Sequence, residues 1–336
     1  MDDARDGYSL RAAIASDRPA VRDLIAAANE FDGVPLAATL EEVEQDLDDE
    51  SVVLATDTRV AVDGDGAVIG YAFTYHLPSE ESEERCYVFG DVHPTWRRRG
   101  VGGALMTWAV DRAREQLLAS DHDLPRSIRV DAYDYCEADH RLVARHGFVP
   151  VRYFEELLRP LTDLPPEPSP GTIAGLRIVP WPLDRSEEIR AEKNAAFADH
   201  WGSTPTSPSN WAAMISGHGA FLDCSFVCVD ADDRIVAHCL NSRYPEDDGL
   251  IGRSDGWISS LGTLREWRGR GVASALIATS LHAFARAGLT HASIGVDSDS
   301  PTGAARLYRA LGFGPRQRSI THQLDVPVSR PGQVAR

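Results

Sequence analysis

The amino-acid sequence predicts an α/β protein of two tandem domains, each a mixed central β-sheet flanked by helices. Three observations carry that reading. An arginine-glycine segment occurs twice, as WRRRGVGGAL at 96–105 and as WRGRGVASAL at 267–276. In both copies a short apolar run precedes it, and an apolar helix face, a β-branched strand and a short helix ending in Gly-Phe follow it. Between the copies lies LTDLPPEPSPGTIAG, residues 161–175, whose prolines read as a semi-rigid linker. A chain of 336 residues is long enough for two cores. The expected division is an N-terminal domain at 1–161, a linker at 162–174 and a C-terminal domain at 175–336.

The first copy opens on a strand, YSLRAAI, then helices at 18–29 and 39–47. SVVLATDTRVAVDG and AVIGYAFTYHL follow as an antiparallel hairpin, with Asp63-Gly64-Asp65-Gly66 supplying the turn. The run CYVFGDV leads into the arginine-glycine segment. Beyond Gly100, Val101, Leu105, Trp108 and Ala109 share one helix face. SIRVDAY is the next strand, and the last helix closes at Gly147–Phe148, where glycine suits a left-handed cap. The second copy repeats this order. LRIVPW precedes helices at 184–200 and 208–216, FLDCSFVCVD reads as a strand, and WISSLGTL leads into the second segment. Val272, Ala275, Leu276 and Ala283 form the helix face, HASIGV the strand, and Gly312–Phe313 the closing cap.

Composition narrows the function. The chain is 43% hydrophobic and 25% charged, with a net charge of −17. Nucleic acid is an unexpected partner for such an acidic surface. Cationic small molecules, amines included, are mildly favoured, although solubility alone also accounts for the charge. No run of eighteen apolar residues is present, so no membrane span is expected. The acidic start, MDDARDGYSL, does not read as a secretory signal, which points to the cytoplasm. The five cysteines include no C-x-x-C pair and read as reduced thiols, mostly in cores. Histidines such as His282 and His291 lack ligand spacing, and no metal is expected.

The arginine-glycine segment has a local physical reading. Glycines between a strand and a helix let backbone approach a ligand closely. The first helical turn has unpartnered N–H groups and a positive dipole end, which together suit a pyrophosphate. Arg268 and Arg270 add positive charge there. The G-x-G-x-x-G dinucleotide spacing and the G-K-[ST] tripeptide are both missing, which argues against those phosphate loops. A tight turn with exposed arginines remains the alternative for either copy taken alone.

Arg-x-x-Gly-x-Gly/Ala after a strand, then a long helix, a strand, a short helix and a Tyr-x-x-x-Gly-Phe ending resembles the GNAT superfamily of N-acetyltransferases. The second copy carries Arg268-Gly269-Arg270-Gly271-Val272-Ala273 and Tyr308 to Phe313. The first carries Arg97-Arg98-Arg99-Gly100-Val101-Gly102 and Val143 to Phe148. Through SPTGAARLYRALGF and the joint before LRIVPW, the chain is similar to bacterial tandem-domain members of the mycothiol synthase type.

The resemblance implies acetyl-coenzyme A as co-substrate and a primary amine on a small molecule as acceptor. It implies that the cradle runs on through Ser274, that Leu261 and Thr263 offer backbone to the pantetheine arm with Gly262 easing the approach, and that Ser300 lies beside that arm. Gly90 and Val92 are the first-copy equivalents. Tyr308 is the implied acid for the thiolate. Val143 stands in its place in the first copy, so the first domain is expected to be degenerate. The family's glutamate base is replaced by Trp257, with Ser259 and Ser260 after it, which points away from the mycothiol precursor as acceptor. Asp255, Asp297 and His200 are the remaining candidates for the base. Residues 197–211, with Asp199, Trp201 and Trp211, read either as an acceptor wall or as a helix end with one buried tryptophan. A non-catalytic coenzyme A sensor, or use of another acyl donor, stays open at this point, as does monomer against homodimer.

Overall fold

The computed structural model describes residues 7–79, 82–168, 173, 175–200, 203–299 and 303–327. The chain divides into two compact units. One holds the residues up to Arg152 together with those from Ser319 onward, and the other holds Tyr153–Arg318.

In the first unit, β1 (Tyr8–Arg11), α1 (Arg18–Asp32), α2 (Leu40–Leu47) and α3 (Leu54–Asp57) precede the antiparallel strands β2 (Thr58–Asp63), β3 (Val68–Leu77) and β4 (Glu84–Val92). Then come α4 (Val101–Leu118), β5 (Arg126–Tyr133) and α5 (Glu137–Arg145). Thr39 caps α2 in a capping box, its Oγ1 accepting from Glu42 N–H at 3.1 Å. The stretch 54–57, expected within a strand, is one helical turn. The Asp57 carboxylate accepts from Val53 N–H at its start, a local bond that a strand would not offer. One face of the sheet is covered by Val21, Leu24, Val43 and Leu47 of α1 and α2, the other by Ala109, Ala113 and Leu117 of α4.

The second unit begins within β6 (Val149–Pro160) and continues with β7 (Arg177–Pro180), α6 (Ser186–Phe197) and α7 (Pro208–Ser216). Next are β8 (Phe226–Val229), β9 (Ile235–Arg243), α8 (Asp248–Ile251) and β10 (Asp255–Thr263). It closes with α9 (Val272–Arg286), β11 (His291–Asp297), α10 (Ala304–Ala310) and β12 (Gly314–Asp325). Leu276, Ile277 and Phe284 of α9 bury against Ile258 and Ile294 on one face. Ile189 and Trp211 bury against Val227, Ile235 and Leu240 on the other. Each such side chain contributes about 1.5–3 kcal/mol on leaving water.

Strand pairing divides the chain differently from the sequence expectation. Residues Phe154–Pro160 of β6 pair antiparallel with β11, so they belong to the second unit. Residues Ser319–Asp325 of β12 pair with β5 in the first. The start of the proline-rich stretch, expected as a semi-rigid linker, is packed against the second unit. Pro165 O accepts from His282 Nε2 at 2.8 Å, and Leu161 and Leu164 pack on the core of the second unit.

The left-handed caps stand where expected, Gly147 at φ 86° and Gly312 at φ 85°. Cys224 lies in a 3-10 turn rather than on a strand, because β8 starts only at Phe226. All five cysteines are free. Among the described residues, no helix is long and apolar enough to cross a membrane.

Candidate active site

Two strands that start as neighbours and then part create the site. In the second unit, β10 pairs in parallel with β11 over Asp255–Ile258 against His291–Ile294, and the ladder ends there. Ser259–Thr263 continue along β9 alone, with the edge once facing β11 left open. Such an edge can take an extended, amide-bearing ligand as one more strand.

A cleft of about 350 Å³ opens at this edge. Its floor is Leu261, Gly262 and Thr263, and its far wall includes Leu307 and Tyr308. Val272, Ala273 and Ser274 form its mouth. Gly271, at φ 83°, caps α9 with no side-chain acceptor, so the first-turn amides of α9 are left for a ligand. The Thr263 hydroxyl is buried without a hydrogen-bond partner among the described residues. Both features fit a polar, phosphate-bearing arm.

Arg268 is placed at this mouth, but its guanidinium is engaged internally. Nε donates to Thr263 O at 3.1 Å and Nη2 to Ala196 O at 2.7 Å. Nη1 and Nη2 also grip the Asp199 carboxylate at 2.6 and 2.9 Å. The arginine thereby ties the cradle loop to α6. Arg270 stacks on Trp267, 4.8 Å from the ring centroid. The hydrogen bond from Arg268 holds Asp199 down at about 2, against an ordinary 3.8. A depressed carboxylate stabilises the fold above its ordinary value and loses that effect as pH falls through the folded one. The stability gap between wild type and Asp199→Asn should therefore persist at pH 5 and close between about pH 4 and 2, as read by denaturant titration at each pH.

His200 lines the cleft beside Phe197, with ring centroids 4.7 Å apart. Burial pushes its imidazole below the ordinary value; Asp199 pulls it up, Arg268 pushes it down, and Asp297 pulls it up least. His200 is thus within electrostatic reach of both Asp199 and Asp297. Asp255 is not among them. It sits at the opposite end of β10 from Thr263, held by Arg253 at 2.9 Å and Ser293 at 3.1 Å. Trp211 is a core residue whose Nε1 donates to Ser186 Oγ at 2.8 Å. Ser300 and Trp201 lie outside the described residues.

One group went unseen in the sequence. His238 of β9 is fully buried, with Nδ1 2.5 Å from Glu192 Oε2 of α6 and Nε2 2.8 Å from Ser260 Oγ of β10. Its ring lies directly behind Gly262, where an added Cβ would come within 2.4 Å of His238 Cε1. The glycine is therefore required by the histidine.

The first unit repeats the cradle and alters the rest. Arg97 Nε donates to Val92 O at 3.1 Å, and its Nη atoms grip Asp32 at 2.6 and 2.7 Å. Arg99 stacks on Trp96 at 4.8 Å. Gly100 caps α4 at φ 88°, ahead of Val101 and Gly102. Arg98 takes a left-handed φ of 63° where the second copy has Gly269 at 75°. β4 and β5 also part, after Tyr87 and Arg129. Val143 is a core residue, 1% exposed. The β3–β4 register is unbroken, whereas that of β9–β10 shifts between Ile258 and Ser260. At Gly90 an added Cβ would meet Tyr71 O at 2.4 Å, so that glycine serves close strand packing.

Comparison with known proteins accounts for this geometry. A family described as Acetyltransferase (GNAT) family matches residues 187–313, and an Acetyltransferase (GNAT) domain matches residues 49–150. A mycothiol acetyltransferase of Parafrankia sp. (strain EAN1pec) is 30% identical, covering 96% of this chain and 98% of its own. One from Mycobacterium sp. (strain JLS) is 29% identical over 90% and 93%. A GCN5-related N-acetyltransferase from Sphaerobacter thermophilus superposes with a TM-score of 0.71 at 28% identity, over 95% and 96% of the two chains. A tandem GNAT protein from the clavulanic acid biosynthesis pathway shares the fold, with a TM-score of 0.67 at 19% identity over 96% and 100%. Two cradles, two parted strand pairs and these relatives make the chain a member of the GNAT family of N-acetyltransferases, in its tandem two-domain form.

Proposed function

We propose that the second unit transfers an acetyl group from acetyl-coenzyme A to the primary amine of a small molecule, by direct attack on the thioester. The observation that carries this reading is the meeting, in one cleft, of the α9 amides, the open edge of β10 and the Tyr308 ring. The amides of Val272 to Ser274 take the pyrophosphate. The backbone of Leu261 and Thr263 takes the pantetheine arm, and the thioester comes to lie toward Tyr308. Arg268, tied to Asp199 and Thr263, holds the loop in shape rather than reaching for the phosphates. The first unit keeps its cradle but has Val143 where an acid is needed, so it supports the second.

The relatives named mycothiol acetyltransferases make the mycothiol precursor the first acceptor to compare. With Trp257 in place of the family glutamate, that amine is expected to be a poorer acceptor than the best member of a panel of aminosugars, polyamines and amino acids. Thiol release from acetyl-coenzyme A across the panel, together with calorimetry, tests the reading. Gly271→Val is expected to weaken acetyl-coenzyme A binding at least tenfold, because a β-branched residue resists φ 83° and distorts the cap. Unchanged affinity in that variant, or a wild type that releases no thiol with any amine, overturns the proposal.

A further inference from the structure

The proposed reaction needs a base for the incoming ammonium, and the strand ahead of the cradle offers no carboxylate beyond Asp255. We infer that Ser260, His238 and Glu192 form a buried proton relay that deprotonates the acceptor amine, an inference that rests on the acetyl-transfer reading above.

Strand geometry brings the three together. Ile258 lies opposite Asn241, whose side chain bonds Ser280 of α9, so Ile258 faces α9. Two-residue periodicity would turn Ser260 to that same face. The register shift inserts Ser259 as an extra residue, so Ser260 pairs with Leu240 and faces α6 instead. It thereby meets His238, at the first rung beyond the point where β11 departs. Gly262, two residues on and on the same face, lines the cleft. Leu261 and Gly262, the residues that follow Ser260, line the cleft, and Ser260 itself is 6% exposed, so the relay lies directly behind the cleft wall.

Hydrogen-bond chemistry gives it a direction. An ionised Glu192 can only accept, so His238 Nδ1 donates to it, and Nε2 of the neutral ring is left to accept from the Ser260 hydroxyl. This is the order of hydroxyl, imidazole and orienting carboxylate found where a hydroxyl is made basic. The second Glu192 oxygen, Oε1, is buried with no partner among the described residues, a costly arrangement to keep for packing alone.

The step balances as follows. The acceptor ammonium gives one proton to Ser260 Oγ as the Ser260 proton passes to His238 Nε2, leaving an imidazolium against Glu192. The neutral amine attacks the carbonyl carbon, forming the C–N bond. The C–S bond breaks, sulfur takes the Tyr308 proton, and the phenolate recovers the one that nitrogen sheds on becoming an amide. His238 returns its proton to water.

The groups facing His238 are Glu192 and Phe197 from α6, Ser260 and Gly262 from β10, and Val227 from β8. Lys193 lies next to Glu192 and is held by Thr206 Oγ1 at 2.7 Å. His200, in the cleft wall, is the competing imidazole.

The experiment is the pH profile of kcat/KM, with the best amine of the panel, for wild type, Ser260→Ala, His238→Gln, Glu192→Gln and His200→Gln. Calorimetry with acetyl-coenzyme A accompanies each. Ser260→Ala removes one hydroxyl and keeps the His238–Glu192 pair, so it stays informative where the other two fail to fold. The relay predicts a fall in kcat of about 100-fold for Ser260→Ala, an unchanged KM for acetyl-coenzyme A, and loss of the acidic limb in that variant and in His238→Gln. His200→Gln should keep the limb. A Ser260→Ala enzyme within threefold of wild type, or a limb that vanishes only in His200→Gln, overturns the relay while leaving acetyl transfer standing. A wild type that binds acetyl-coenzyme A but acetylates nothing overturns the reading beneath it.

Discussion

Replacing Tyr308 by Phe is expected to lower kcat by about 100-fold with little change in KM for acetyl-coenzyme A. Tyr308 is 7% exposed, lines the cleft and meets Phe313 edge-on with ring centroids 6.3 Å apart. Phenylalanine keeps that packing and removes only the hydroxyl. Burial, and then the neighbouring Cys239 thiol, push the phenol well above its ordinary value. It therefore stays protonated at any working pH. A donor less acidic than the departing thiol does not surrender its proton outright. In the proposed transfer it would stabilise the sulfur through an O–H···S bond, with the proton moving as nitrogen loses its own. That places the effect toward the lower end of the range for general acids, about 100- to 10,000-fold. Steady-state kinetics beside a circular dichroism melt will decide. A variant that folds and keeps more than a third of wild-type kcat removes Tyr308 from the chemistry.

The second large effect is expected at Gly262. An alanine there sets a methyl 2.4 Å from His238 Cε1, 2.9 Å from its Nδ1 and 3.1 Å from Ala196 Cβ. The ring has Glu192 on one side and Ser260 on the other, so it cannot retreat without breaking a bond to one of them. Overpacking of this kind costs about 1–3 kcal/mol, and an unsatisfied Glu192 would add to it. Gly262→Ala should lower thermal stability by several degrees and reduce kcat as well. Gly314→Ala serves as the control, since among the described residues nothing lies within 4 Å of an added Cβ there and its backbone is not left-handed. If Gly262→Ala melts with wild type and turns over as fast, the close approach of the ring to the strand is wrong.

The duplication and its two glycine-capped helix starts were legible in the sequence because their causes are local. Gly100 and Gly271 cap helices at positive φ, a conformation the sequence must encode at that residue. The same locality made Gly147 and Gly312 legible as caps. The sequence does not decide Trp211, because an indole beside polar residues reads equally as wall or core until Ser186 is seen to take its N–H. At Gly262 the sequence led to the expectation that a bound arm approaches closely, and it gave no sign of the His238 ring packed behind the residue.

By itself, the sequence determined the family, the two-domain order and the places where an arginine-glycine segment opens a helix. Each depends on residues a few positions apart, where backbone sterics and helix-end amides act. Only the tertiary structure decided where the terminal strands pair and what backs the cleft. β6 and β12 find their partners, β11 and β5, far along the chain. Glu192, His238 and Ser260 come from three elements, and one extra residue in β10 turns the serine toward the histidine. Strand pairing and side-chain parity follow from hydrogen-bond ladders between distant segments, and no local pattern records which ladder forms.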